Sequence, residues 1–171
     1  MCALIVCREL GLDVDELRRG LLSFEGVEHR LESAGSVKGV KFVNDSKSTN
    51  VDSTIKAVNA FGDKIYLILG GRDKNLDFCE LFAKMPPRVK KIALIGEAAE
   101  TIASFAQRKG FKRYCFCDGL ENAVRTLYAE ASAGDVILLS PACASFDSYR
   151  NFAERGEHFK KIVEKLKNET Y

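Results

Sequence analysis

The chain has 171 residues, 46% hydrophobic and 29% charged, with 26 basic and 24 acidic side chains and a formal net charge of +2. That length suits one well-buried core plus a short appendage and excludes two large domains. A charge balance this even excludes a general polyanion-binding surface, so nucleic acid is not an expected partner, although a local anion pocket stays open.

The six cysteines (Cys2, Cys7, Cys79, Cys115, Cys117 and Cys143) form no C-x-x-C pair, and the two histidines, His29 and His158, lie far from them. A zinc site is therefore not expected, and no metal ligands are assigned. Several of the thiols lie in apolar runs such as Tyr114-Cys115-Phe116-Cys117, where they behave as small hydrophobes in a reducing compartment. The N-terminus lacks a basic segment followed by a long apolar stretch, and no apolar run has membrane-spanning length, so a soluble cytoplasmic protein without membrane insertion is expected.

Met1 to Leu10 is amphipathic and starts without a capping residue, as if cut from the middle of a longer chain. Asp13-Val14-Asp15-Glu16 is a D-x-x-E capping pattern that opens a helix to about Leu22, and Ser23 to Glu28 is a linker. From His29 the texture changes. Arg30 to Ser33 and Val40 to Val43 read as two strands around an Ala34-Gly35-Ser36 turn, too short for a crossover, so one edge strand should be antiparallel.

Helices are then expected at Val51–Phe61, Asp77–Lys84, Ala98–Lys109, Leu120–Ala131 and Asp147–Lys167, and strands at Lys64–Leu69, Lys91–Ile95, Arg113–Cys117 and Asp135–Ser140. Gly62, Gly110 and Gly134 follow helices, where a left-handed residue ends them. Strands such as Ile65 to Leu69 are continuously apolar, as required when helices cover both faces. The expected fold is α/β: a doubly wound, mostly parallel, Rossmann-like sheet of about six strands with helices on both faces and a short helical lead-in.

In such sheets ligands bind beyond the carboxyl ends of the strands. Three of the loops there carry unusual chemistry. Asn44-Asp45-Ser46-Lys47-Ser48-Thr49-Asn50 has no apolar residue and can present hydroxyls, N–H groups and the Lys47 charge to an anion; it equally suits a solvated turn capped by Asn50 or Ser48. Gly70-Gly71-Arg72-Asp73-Lys74-Asn75 offers close backbone approach and two cations, or is an ordinary charged turn. Ser140 to Phe152 begins with small residues, places Ser145 as an exposed hydroxyl near a helix start, and carries Phe146 and Phe152, which also suit a core. Cys143 has no adjacent base and reads as a packing thiol. No G-x-x-x-x-G-K-[ST] segment and no G-x-G-x-x-G occur, so this chain carries no triphosphate cradle of its own.

These three loops, with Asn151-Phe152, Arg155-Gly156 and the His29-Arg30-Leu31-Glu32 segment, together resemble the C-terminal domain of the Mur ligases that add D-glutamate to UDP-N-acetylmuramoyl-L-alanine. The resemblance covers about residues 1 to 168; Ser48, where alanine is expected, is a mild departure. It implies residues 1–28 as a helical remnant of a central ATPase domain with its linker, and 29–171 as a Rossmann-like D-glutamate-binding domain. It further implies ATP and magnesium as cofactors of the full-length enzyme, bound mainly by domains absent here, and peptide-bond formation through an acyl phosphate. By similarity Arg30 reaches nucleotide phosphates, Asp45 the ribose and Lys47 the phosphate and acyl-phosphate region, while Thr49, Lys74, Ser145, Phe146 and Phe152 hold D-glutamate. The isolated chain is expected to be inert, because domain closure over a separate nucleotide site completes the machinery. A sibling amino-acid ligase of the Mur or folylpolyglutamate type, or a stand-alone binding module, are the alternatives.

Overall fold

The computed structural model describes residues 2–24 and 26–170; the expected helix start at Met1 and the linker position Glu25 lie outside them. Two short helices come first, α1 (Cys2–Glu9) and α2 (Val14–Leu22). Asp13 caps α2 in a reciprocal box: its carboxylate accepts from the Glu16 N–H at 2.8 Å, and Glu16 accepts from the Asp13 N–H at 2.9 Å. No residue of α2 is buried, and Leu10, Leu22 and Phe24 expose their side chains to solvent.

Six strands follow: β1 (Glu32–Val37), β2 (Val40–Asn44), β3 (Ile65–Gly70), β4 (Val89–Ile95), β5 (Tyr114–Phe116) and β6 (Val136–Leu139). They form one sheet in the order β1-β2-β6-β3-β4-β5, with β1 antiparallel to β2 and every other pair parallel. The helices between them are α3 (Val51–Asn59), α4 (Cys79–Ala83), α5 (Ala99–Arg108) and α6 (Gly119–Tyr128), and α7 (Phe152–Thr170) closes the chain. Alternate strand residues feed two cores. Leu67, Leu69, Leu94 and Leu138 pack with α3, α4 and α5, whereas Ile68, Ala93, Ile137 and Leu139 pack with α6 and α7. Each such buried Leu or Ile side chain contributes about 1.5–3 kcal/mol, which is why the strands read as unbroken apolar runs.

The α/β class, the six strands and the antiparallel edge agree with the reading from sequence. The hairpin register does not. The turn is Lys38-Gly39, with φ of 46° and 82°, flanked by the Val37–Val40 pair. Two consecutive left-handed residues make the tight turn that matches strand twist. Ala34-Gly35-Ser36 instead lies inside β1, where the pairing register shifts between Ser33 and Gly35. Gly62 does not adopt a positive φ, unlike Gly110 and Gly134. The last helix starts at Phe152 rather than Asp147, because residues 141–151 turn back over the sheet edge.

Candidate functional site

The loops after β2, β6 and β3 leave three neighbouring strands, so the polar segments 44–50, 141–151 and 70–75 converge at one edge of the sheet. Backbone hydrogen bonds tie the second of these segments to the third, and the third to β4. Gly70 N donates to Pro141 O at 2.9 Å, Arg72 N to Ala144 O at 2.9 Å, and Gly71 N to Ile95 O at 3.1 Å. A Cβ on Gly71 would collide with the Ala144 carbonyl and lie 3.1 Å from Arg155 Nη1; with φ at 139° the position accepts only glycine.

Beneath these loops lies a buried polar floor. Asn44 donates to Glu32 Oε2 at 2.9 Å and sits 3.0 Å from His29 Nδ1. Asp45 is 2% exposed; its Oδ2 accepts from Ser140 Oγ at 2.7 Å and its Oδ1 from Leu31 N at 3.3 Å. Burial raises its carboxyl above the ordinary range, and hydrogen bonds from Ser48, Ser140 and the Leu31 N–H oppose the rise. The residue expected to face a ribose therefore has its carboxylate turned inward, as a brace between two loops. Asn50 caps α3 by accepting from Ser53 N at 2.9 Å, so this part of the loop is also a true helix cap.

Arg155, given no role from sequence, is the keystone. It is 1% exposed and has no carboxylate partner among the described residues. Nε donates to Ser46 Oγ at 3.0 Å, and Nη2 donates to Ser46 O at 2.9 Å and to Cys143 O at 3.1 Å. Ser46 Oγ in turn donates to Phe152 O at 2.8 Å. One guanidinium thus ties the loop carrying Lys47 and Thr49 to the loop carrying Ser145. Burial draws it down to about 10, which still leaves it charged at neutral pH. A sequence signal existed: Arg155 occupies the apolar stripe of α7 with Phe159, Ile162, Val163 and Leu166, at spacings where a cation is out of place unless it is bonded inside.

Above the floor is an exposed rim. Lys47 Nζ lies 5.5 Å from the Phe152 ring centroid and Lys74 Nζ 5.9 Å from that of Phe146, which is 62% exposed. Neither ammonium has a carboxylate partner among the described residues, whereas Arg72 is paired with Glu97 at 3.0 Å. Thr49 is half-buried between them in the chain, and Arg30 is exposed at the entry to β1. Ser145 corrects the expectation of an exposed hydroxyl: it is 2% exposed and its Oγ has no hydrogen-bond partner among the described residues. Its carbonyl accepts from Ser148 N at 3.1 Å and Tyr149 N at 2.8 Å, so the turn that replaces the expected helix start draws it under the surface. Cys143 is buried in the core and its thiol is pushed up to about 12 by that burial, as befits a packing residue.

For the cofactors that the family resemblance implies, Lys47 and Arg30 are exposed cations suited to phosphate oxygens. The Glu28, His29 and Glu32 group draws its ligand atoms together, but the Lys160 ammonium already bonds Glu28 at 2.7 Å and Glu32 at 3.2 Å. That arrangement is an ion-pair cluster at the junction between lead-in and sheet, and it does not fit magnesium.

Fold and candidate site together define an α/β domain whose two lysines without carboxylate partners among the described residues, Lys47 and Lys74, stand on loops beyond the carboxyl ends of parallel strands. Residues 29–143 match the family described as "Mur ligase, glutamate ligase domain", and the chain belongs to that family. It is 44% identical over 163 residues to UDP-N-acetylmuramoylalanine--D-glutamate ligase of Desulfitobacterium hafniense strain Y51, covering 95% of this chain and 36% of that protein. It is 42% identical over 167 residues to the protein of the same name in Clostridioides difficile, covering 98% and 37%. The chain thus spans little more than a third of the curated relatives it matches. Among solved structures, MurC of Thermotoga maritima superposes with a TM-score of 0.67 at 15% identity, covering 95% of this chain and 36% of that one. MurF ligase of the same organism, in complex with ADP, gives 0.62 at 21%, covering 98% and 37%. Folylpolyglutamate synthase of Mycobacterium tuberculosis gives 0.62 at 14%, covering 87% and 36%, so the fold is shared across these ligases.

Proposed function

We propose that this chain is the C-terminal part of an ATP-dependent ligase that joins D-glutamate to UDP-N-acetylmuramoyl-L-alanine in peptidoglycan synthesis. Residues 29–171 are its D-glutamate-binding domain, and residues 1–28 are the end of a preceding ATPase domain with its linker. The observation that carries the reading is the pair of ammoniums, Lys47 and Lys74, standing without carboxylate partners among the described residues on loops of one sheet edge, each against a phenyl ring. A ligand with two carboxylates completes such a rim, and the names of the relatives supply D-glutamate. The apolar side chains that α1 and α2 leave in solvent support a neighbouring domain against them.

In this reading Lys74, Thr49 and Ser145 hold the amino acid, Phe146 and Phe152 wall it, and Asp45 braces the loop that carries Lys47. ATP, when bound, supplies the phosphoryl group that activates the precursor carboxylate. Lys47, with Arg30, faces the phosphates on domain closure, and holding the D-glutamate amine in attack geometry supplies rate through proximity. The chain alone lacks the partner surface and is inert, in keeping with a cytoplasmic enzyme whose site is split between domains. The shared fold keeps a folylpolyglutamate-type or sibling Mur ligase as the second reading. The test is ligation by the full-length protein with ATP, magnesium and precursor, offering D-glutamate against L-alanine, diamino acids and L-glutamate. Selective use of D-glutamate supports the proposal, selective use of another amino acid overturns its substrate, and turnover by this chain alone overturns the split site.

A further inference from the structure

Cys115 and Cys117 occupy alternate positions of the edge strand β5 and its exit, so their side chains fall on one face, the side covered by α6. Both are free and half-buried, and their Sγ atoms lie 3.9 Å apart. The Lys91 ammonium, held by Glu130, faces both thiols from β4, and Thr126 faces Cys117 from α6. Burial, then the adjacent Cys115, push the Cys117 thiol up to about 11, so Cys117 is protonated at neutral pH.

Two reactions are open to such a pair, and geometry separates them. A disulfide needs the sulfurs about 2.05 Å apart and Cα atoms no more than about 6.8 Å apart. Two residues along one strand already span about 6.6 Å. The backbone here cannot pucker freely to bring the sulfurs together, because Cys115 pairs with Ala93 and Cys117 N donates to Leu94 O at 2.9 Å. Chelation asks for no such movement: two sulfurs bonded at about 2.3 Å to one tetrahedral cation stand about 3.8 Å apart, the separation already present.

We propose that Cys115 and Cys117 form a two-sulfur chelate for a thiophilic divalent cation of the zinc or cadmium type, with solvent completing its coordination. Binding breaks two S–H bonds, forms two sulfur–metal bonds and releases two protons to water, with no change in oxidation state. Affinity therefore rises with pH, since both protons must be displaced. The chelate sits where the chain leaves β5 for Asp118 and Gly119, and Gly119 lines a cavity of about 40 Å³ with Gly96, Asp147 and Arg155 behind the candidate site.

The probe is cadmium alone, titrated into the reduced full chain and read by the ultraviolet thiolate-to-cadmium absorption. One tightly bound ion per chain is expected, weakened ~100-fold or more in Cys115→Ser and in Cys117→Ser as the second arm of the chelate is lost, and unchanged in Cys143→Ala and Cys7→Ser. Without any substitution, cadmium should also protect Cys115 and Cys117 from iodoacetamide, read by peptide mass spectrometry. Binding that survives both serine substitutions, or the absence of protection in the unsubstituted chain, overturns the proposal. So does a Cys115–Cys117 disulfide formed by mild oxidation of the chain while it stays folded.

Discussion

The candidate site has a floor and a rim, and the two are built by opposite rules. In the floor Arg155, Ser46, Asp45, Ser140 and Asn44 are buried, and hydrogen bonds bind them to one another and to the backbones of two loops. The rim carries Lys47, Lys74, Phe146 and Arg30 in or near solvent, with aromatic contacts in place of ion pairs for the two lysines. Buried polar groups are expensive to leave unpaired, and among the described residues every side-chain polar atom of these floor residues but Arg155 Nη1 finds a partner within the chain. Exposed cations cost little, so the rim can wait for a ligand. Stability should therefore reside in the floor and ligand recognition in the rim.

The largest expected effect is that of Arg155→Met. It strands Ser46 O and Cys143 O and should cost about 3–5 kcal/mol in urea unfolding, since several buried acceptors lose their donors together. A loss under about 1 kcal/mol would dissolve the distinction between floor and rim. Next is Gly71→Ala, which meets the Ala144 carbonyl and an unfavourable φ; about 2–3 kcal/mol of destabilisation is expected by the same measurement.

Lys74→Ala should reverse the pattern. Its effect on unfolding should stay within about 0.5 kcal/mol. In the full-length protein the KM for D-glutamate should rise about 10–100-fold, the worth of one charge-assisted contact. Unchanged D-glutamate kinetics would remove Lys74 from the rim's function. Phe146→Ala is the mildest, expected to change the D-glutamate KM by a few-fold at most, because an exposed cation–π contact is worth about 0.5–1 kcal/mol.

The core beneath the floor has a pH signature of its own. The Cys143 thiol is raised by burial from its ordinary value of 9.0 to about 12. The folded state therefore holds this proton more tightly than the unfolded chain does. Its contribution is complete below about pH 9 and is lost as pH climbs toward 12. Cys143→Ala should flatten that part of the stability–pH curve; an unaltered alkaline slope would place its origin elsewhere.

Much of this was legible in the chain itself. Unbroken apolar strands such as Ile65 to Leu69 announce a sheet covered on both faces, and the Asp13 and Asn50 caps are local hydrogen-bond chemistry written within four residues. The three polar loops could be marked as candidate segments because they follow buried strands at the end of the sheet where ligands bind, though their residue types equally suit turns and caps, and Asn50 is such a cap. What sequence alone could not decide is contact across long separations. β6 lies between β2 and β3, and that insertion brings residues 141–151 between the loops of Lys47 and Lys74. Ser145 is under the surface because its turn folds back over the sheet, and Arg155 is a keystone because the two carbonyls it bonds come from segments 109 and 12 residues away. Local pattern determines which segments become strands and helices; burial and pairing between distant segments, settled only when the sheet closes, decide which polar groups become floor and which remain rim.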